Sequence, residues 1–447
     1  MSEQSFLLPP PDWKPATLGQ VSECILGGTP STEVPQFWNG DVPWMASGDV
    51  HIRRIQDVPG RITALGLRSS NATLTKPPAV AVGLAGQGKT RGTVALTLCT
   101  LSTNQSIALL KANGSDLRTD YLFHNLDRRY EELRARSSGG GRGGLSKAIL
   151  EAVPIDLPPL SEQQKIAQIL DTLDTAIQET EAIIAKLGAL RQGLLHDLLT
   201  RGIGTSGELR QRQTEAPDLY KESALGWIPQ EWEVASLGDL SESLVDGPFG
   251  SNLKTAHYVE NPGVRVVRLQ NILAGQYDDS ERAFISERHA TSLVRNRVTA
   301  GDALIASLGD ASYPVGRSCC YPAELPDAIN KADCFRFRSG PRCRNEFVML
   351  SMNGAAARRQ VRGYEQGVTM KRINLGNLRR VQIALPSVPE QELIAVRMRT
   401  MQEKIDVTSL ELQKLRFQKV GLMDDLLTGR VRVTPLLAEV AQKKVSA

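Results

Sequence analysis

The chain is written twice, and the second writing keeps register with the first over two separate anchors. Leu157-Pro158-Pro159-Leu160-Ser161-Glu162-Gln163-Gln164-Lys165-Ile166-Ala167 aligns with Leu385-Pro386-Ser387-Val388-Pro389-Glu390-Gln391-Glu392-Leu393-Ile394-Ala395 at a constant offset of 228. The same offset carries Gly193-Leu194-Leu195-His196-Asp197-Leu198-Leu199-Thr200 onto Gly421-Leu422-Met423-Asp424-Asp425-Leu426-Leu427-Thr428. No residue is inserted or lost between the anchors. Near the front of each copy the offset is 219, where Trp13 and Leu18-Gly19 meet Trp232 and Leu237-Gly238, so a difference of nine residues lies inside a variable segment. A repeat of this kind fixes the architecture before any local reading: a globular domain and then a constant segment, twice.

Each constant segment carries a helical seam. With the 3.5-residue spacing of paired helices, the first copy gives Ile166, Leu170, Leu173, Ile177, Thr180, Ile184, Leu187, Arg191, Leu194 and Leu198. The second gives Ile394, Met398, Met401, Ile405, Thr408, Leu412, Leu415, Lys419, Leu422 and Leu426. Even the polar exceptions coincide, a threonine and then a cation. Pro and Ser before the Glu-Gln pair are start signals, and Leu-Leu-Thr with the glycine that follows is the stop. A helix of about 38 residues is about 57 Å long. Ordinary globular helices are shorter and rarely hold a seam so far, so the seam predicts a coiled coil. A pseudo-two-fold relation between the halves makes the pair antiparallel, and Thr180 is then expected to face Thr408 near the middle.

The segments before each helix alternate short β-like runs, such as Ala79-Val80-Ala81-Val82 and Val264-Arg265-Val266-Val267-Arg268-Leu269, with Gly and Pro punctuation. They read as α/β domains, and the whole chain as a mixed α+β protein. Asn39-Gly40 between Trp38 and Asp41-Val42-Pro43-Trp44 predicts a hairpin turn, with the tryptophans in the core. Loops combining glycine, hydroxyls and cations occur at Gly27–Ser31, Gly88–Gly92, Gly139–Lys147, Gly247–Lys254 and Gly367–Arg372. Such loops let backbone approach phosphates while side chains reach oxygens or base edges. Gly139 and Gly367 are again 228 apart, just before each helix.

A net charge of +4 says little by itself, but Gly340–Arg380 holds nine Lys or Arg against two Glu, the footprint of a phosphate-binding surface. The six cysteines show no C-x-x-C spacing, so buried free thiols are expected rather than a zinc site or disulfides. No apolar run reaches the roughly 18 residues of a membrane span, and no basic segment followed by an apolar one opens the chain. A cytoplasmic protein is expected.

Catalytic motifs point elsewhere or are missing. Gly83-Leu84-Ala85-Gly86-Gln87-Gly88-Lys89-Thr90 fits the phosphate-loop pattern G-x-x-x-x-G-K-[ST] in full, and an NTP-binding enzyme is the competing reading. That loop requires a helix to open at the Lys and Thr, yet Arg91-Gly92-Thr93-Val94-Ala95-Leu96-Thr97-Leu98 alternates like a strand. No Asn-Pro-Pro-aromatic or Asp-Pro-Pro-aromatic methyltransferase motif occurs, no nuclease carboxylate cluster stands out, and the histidines lack metal-ligand spacing.

Taken together, Leu157–Gln164 with its echo at Leu385–Glu392, the paired Leu-Leu-Thr ends, Gly226-Trp227-Ile228-Pro229 leading to Glu231-Trp232, and the loops Gly27–Ser31 and Asp246–Ser251 resemble the specificity subunits of type I restriction-modification enzymes. The first domain departs from the pattern, opening Leu7-Leu8-Pro9-Pro10-Pro11-Asp12-Trp13. The resemblance divides the chain into a target recognition domain (1–155), a helical spacer (156–205), a linker (206–224), a second target recognition domain (225–383), a second spacer (384–432) and a frayed tail (433–447). It implies a non-catalytic subunit on double-stranded DNA, each domain reading one half of an asymmetric, interrupted site. The helices space the readers and dock two methylation subunits. Cofactors then belong to the partners: S-adenosylmethionine to the methylation subunits, ATP and Mg to the restriction subunits. Lys89, Arg91, Arg142, Lys147, Ser251, Lys254, Lys371 and Arg372 are the candidate DNA contacts. A DNA-binding scaffold outside restriction is the third reading.

Overall fold

A computed structural model describes residues 9–86, 88–136, 144–248, 252–260 and 262–445. They fall into two units, residues 1–182 with 410–447 and residues 183–409. Each unit holds one globular domain together with part of each long helix, Leu160–Thr200 and Val388–Leu427.

In the first unit Lys14–Thr17 pairs antiparallel with Pro154–Leu157, which returns the end of the domain to its beginning just before the helix starts. The main sheet runs Ser22–Leu26, Ile107–Ala112, Ala79–Gly83, Val94–Thr97, Arg54–Ile55, antiparallel except for the last pair. In the second unit Glu233–Ser236 pairs with Gln382–Leu385 in the same way, and a sheet runs Ser241–Val245, Cys334–Ser339, Ala303–Ala306, Ser318–Cys320. The duplication thus extends through domains whose sequences have diverged. The second domain adds a sheet of Tyr258–Val259, Phe284–Ile285, Val264–Val267, Ala328–Asn330 and Arg297–Val298.

The repeated glutamine is the pin between domain and helix. Gln163 is fully buried; its Oε1 accepts from the Arg118 amide (2.9 Å) and its Nε2 donates to the carbonyls of Asp116 (2.7 Å) and Pro158 (2.9 Å). Gln391 repeats all three bonds with the Arg344 amide and the carbonyls of Arg342 and Pro386. An amide side chain has both donors and an acceptor, which a carboxylate lacks, and each glutamine thereby holds the chain at the start of a domain helix, Thr119–Arg128 or Asn345–Asn353.

Within each unit the two helices run antiparallel. In the first, Asp174 meets Lys419 (2.6 Å) and Glu181 meets Arg416 (2.6 Å), so one number rises as the other falls. In the second, Arg191 lies within electrostatic reach of Asp406 and Glu390 accepts from the Ile203 amide (2.7 Å). Of the two seam cations, Lys419 is thus paired directly with an aspartate, while Arg191 reaches Asp406 only through space. This register puts position 180 opposite residues near 416 and position 408 opposite residues near 190. The expected Thr180–Thr408 juxtaposition is therefore corrected; each hydroxyl instead donates to the carbonyl four residues back, Ala176 or Lys404.

Seam positions Ile166, Leu170, Thr180, Leu198, Ile394, Met398, Leu412 and Leu426 are buried. Leu173, Ile177, Ile184, Leu187, Leu194, Met401, Ile405, Thr408, Leu415 and Leu422 are half-buried. Near the helix ends the globular cores take over: Ile166, Leu170 and Leu426 pack with Trp13, Tyr121 and Phe123, and Leu198, Ile394 and Met398 with Trp232 and Phe347. Nearer the middle, Ile177 still lines a cavity with Arg53, Arg129 and Glu132 of the first domain.

A charged network attaches the first domain to its helices. Asp127 accepts two bonds from Arg53 (2.9 Å each) and lies 3.5 Å from Lys419, while Asp171 accepts from buried His124 Nε2 (2.7 Å) and pairs with Arg54. Burial raises both carboxyls, but for Asp127 the Arg53 and Lys419 cations outweigh it, and for Asp171 the His124 bond and Arg54 do; both end below the usual aspartate range. A depressed folded-state pKa contributes stability that is complete above about pH 4 and lost as pH falls through the depressed value. Thermal melts at decreasing pH are expected to show a steeper acid loss for the native chain than for Arg53→Met; parallel curves would refute the assignment.

Two local expectations, the turn at Asn39-Gly40 and the frayed tail, are corrected, and the linker is ordered. Asn39-Gly40 is no hairpin turn but a bulge within Trp38–Met45, where Trp38 and Val42 both oppose Ile62 and Asn39 takes a φ of +59°. The linker is tied down: Tyr220–Ser223 pairs with Gly226–Pro229, and Arg210 pairs with Glu390. The tail forms a helix, Thr434–Val445, entered from buried Val433.

Candidate nucleic-acid interface

The phosphate-loop look-alike is a hairpin. Ala79–Gly83 pairs antiparallel with Val94–Thr97, and the Gly83 amide donates to Thr93 while the Gly92 amide returns to Gly83 (2.9 Å each). No helix opens at Lys89 or Thr90, so the NTP-binding reading loses its required element. The loop is held from outside by the helix Tyr130–Ala135: Arg134 Nη1 donates to the carbonyls of Gly88 (2.7 Å) and Arg91 (3.2 Å), and Tyr130 Oη to that of Lys89 (3.3 Å).

The second domain builds the equivalent loop between Ala303–Ala306 and Ser318–Cys320. Here Arg358 Nη1 donates to the Val315 carbonyl (2.8 Å), just before Gly316, as Arg134 does to Arg91 just before Gly92. Both glycines have positive φ, +77° and +82°, the left-handed geometry that turns the chain into the return strand. Burial, with the Arg317 and Arg362 cations, draws the Arg358 guanidinium down to about 10. Arg317 is a second clamp. It is buried, and it donates to the carbonyls of Ile272 (2.7 Å), Leu308 (2.9 Å), Leu269 (3.0 Å), Tyr313 (3.1 Å) and Pro314 (3.4 Å). The five donors of a guanidinium are what such a cage of carbonyls needs.

Each loop is joined to the segment before the long helix. In the first domain the Leu145 amide donates to Leu84 (2.9 Å), which sets exposed Lys89 and half-buried Arg91 on a loop joined to the strand end that leads to Lys147. Lys147 opens a short helix capped by Ser146, 3.7 Å from Glu151. In the second domain Lys371 and Arg372 pair across Gly309 and Leu308. Lys371 meets Glu365 (3.1 Å), and Arg372 meets Asp333. Lys254 is exposed ahead of the turn Thr255–His257, whose Thr255 lines a cavity of about 260 Å³ with Arg268, Lys331 and Asp333. Arg142 and Ser251 lie outside the described residues. Trp38 and Trp44, expected in the core, are half-buried and stacked edge to face; their Nε1 groups hold the Gly27–Ser31 loop at the carbonyls of Ser31 and Gly28 (3.0 Å each).

The clamping arginines escaped the sequence reading because carbonyl partners leave no signal in residue type. The free thiols of Cys24, Cys319, Cys334 and Cys343 are buried, and those of Cys99 and Cys320 half-buried. Among the described residues no helix is long and apolar enough to cross a membrane.

Comparison with known proteins agrees with this arrangement. A family model described as the type I restriction modification DNA specificity domain matches residues 10–189 and again 229–416. The type I restriction enzyme MjaVIII specificity subunit of Methanocaldococcus jannaschii is 24% identical over 445 residues, 97% of this chain and 96% of that one. The EcoR124I/EcoR124II specificity subunit of Escherichia coli is 27% identical over 210 residues, 46% of each. Among solved structures, the S subunit of a type I system from M. genitalium shares the fold at a TM-score of 0.56 and 16% identity, covering 95% of this chain and 98% of its own. A chain from a study of assembly and conformational transition in a type I system does so at 0.59 and 16%, covering 95% and 100%. The chain belongs to the type I restriction modification DNA specificity family, as a specificity subunit that carries the family's domain twice.

Proposed function

We propose that this subunit reads a bipartite, asymmetric DNA site, one half with each domain, and carries no catalytic group of its own. The observation behind this reading is that helices and pins keep register position by position while the clamped loops between them differ in length and sequence. A constant spacer with two diverged readers fits a site whose halves differ. Lys89, Arg91, Lys147, Lys254, Lys371 and Arg372, with Arg142 and Ser251, are the proposed contacts, split between phosphates and bases. Two methylation subunits docked on the helices would supply S-adenosylmethionine and methyl transfer to adenine; restriction subunits would supply ATP- and Mg-dependent translocation and cleavage. Mapping methylated adenine across the genome with and without this gene tests the reading: loss of methylation at one interrupted motif supports it, and unchanged methylation refutes it.

The helices also expose apolar surface fit for docking. Leu410, Phe417 and Val420 project outward, Phe417 at 77% exposure. Phe417→Asp is expected to weaken capture of the methylation subunit about tenfold while leaving the melting temperature unchanged, since the residue contributes little burial to the fold. Undiminished co-purification would exclude this face from the dock.

A further inference from the structure

The second domain raises an apolar tip that its own fold leaves uncovered. Gln366 and Arg372 close a hairpin, each amide donating to the other's carbonyl (2.9 and 2.8 Å). Gly367 has a φ of +103°, and a Cβ there would stand 2.4 Å from the Met370 carbonyl oxygen, so the turn requires glycine. The base is fixed by the pairing of Lys371 and Arg372 with Gly309 and Leu308 and by the amide of buried Ile373 donating to Ser307 (2.9 Å). From this base Val368 stands 94% exposed and Met370 47%. Tyr313, 54% exposed, lies on the adjoining loop, whose turn is set by Asp310 accepting from the amides of Ser312 and Tyr313 (2.8 Å each) and by the Arg317 clamp.

Isolated exposed apolar residues are common. Here three stand on two loops whose bases are joined by strand pairing, each loop braced from behind, an apolar tip of limited area. It is far smaller than the roughly 800 Å² that each partner contributes to a stable protein interface. Lys371 and Arg372 stand at its base, each in an ion pair, within a segment, Gly340–Arg380, whose nine Lys or Arg against two Glu suit a polyanion. The apolar group that duplex DNA offers in the major groove is the thymine methyl.

We propose that Val368, with Met370 beside it, reads a thymine methyl in the half-site of the second domain. This rests on the DNA-reading function proposed above. The test uses the full chain with its methylation subunits on a duplex carrying the mapped site. Each thymine of that half-site is replaced in turn by deoxyuracil, which removes the methyl alone. One position is expected to lose about three- to sixfold in affinity, the worth of one buried methyl. In Val368→Ser that position is expected to become indifferent to uracil while the others keep their wild-type response. Lys371→Gln, by contrast, is expected to weaken all the duplexes alike. An unchanged uracil profile in Val368→Ser overturns the contact. A complex that fails to prefer the mapped site over unrelated DNA overturns the underlying reading, and the contact with it.

Discussion

Glu390→Gln is expected to destabilise the second unit by about 3 kcal/mol, the cost of breaking a buried ion pair whose cation, Arg210, keeps only a longer contact with Glu231 at 3.7 Å. Glu390 accepts from both terminal nitrogens of Arg210, from the Ile203 amide (2.7 Å) and from Trp232 Nε1 (3.1 Å), and Arg210 itself is only 12% exposed. Ile203 and Arg210 lie in the segment that follows the end of the first helix at Thr200, so one carboxylate locks the start of one helix to the end of the other within the unit. The first unit repeats the device. Glu162 accepts from Arg432 Nε (3.1 Å) and Nη2 (2.6 Å), and Arg432 also binds Asp12 (2.9 and 2.7 Å). Arg432 is more exposed and keeps Asp12 at hydrogen-bond distance when Glu162 is neutralised, whereas Arg210 keeps only Glu231 at 3.7 Å, and among the described residues Trp13 Nε1 has no bond comparable to that of Trp232. Glu162→Gln is therefore expected to cost less, about 1–2 kcal/mol. Chemical denaturation of the full chain, with amide exchange reporting on each unit, measures both. Arg210→Met in the Glu390→Leu background is expected to recover much of the loss. Equal costs at the two glutamates would contradict this account.

These clamps mark where the sequence stopped being legible. The long helices, their start at Glu-Gln and their seam were readable because periodicity is local and the second copy repeats it position by position. The partners of Glu162 and Glu390 were not, since Arg432 and Arg210 lie in segments that look like tail and linker. Helix register was hidden for the same reason: symmetry alone put Thr180 against Thr408, while the ion pairs of Lys419 and Arg416 set a different phase. Gly83–Thr90 matched a nucleotide loop letter for letter, and only the strand after it argued otherwise; the hairpin Ala79–Thr97 bears that out. At the interface, composition flagged Lys371 and Arg372 but not Val368, because an exposed valine is indistinguishable from a buried one until the turn at Gly367 is in place. Arg317 was equally silent, its five partners being carbonyls.

Removing four residues from each long helix is expected to change the gap in the DNA site and leave both half-sites intact. The deletions belong between Glu181 and Arg191 in the first helix and between Asp406 and Arg416 in the second, so that the Glu181–Arg416 ion pair survives. Four residues shorten a helix by about 6 Å and advance its phase by about 40° beyond a full turn, which the seam tolerates. At about 3.4 Å per base pair, the preferred gap contracts by one or two base pairs. A two-residue deletion is the informative contrast. It turns the following seam by about 160° from its former face, presenting Leu415 and Leu187 to solvent, and is expected to unfold the pairing rather than retune it. Methylation mapping of cells carrying each variant separates the outcomes. The four-residue variant should methylate the same half-sites at a shorter spacing. Retained spacing with altered base preference would show that the helices contribute to base reading and do not set the interval.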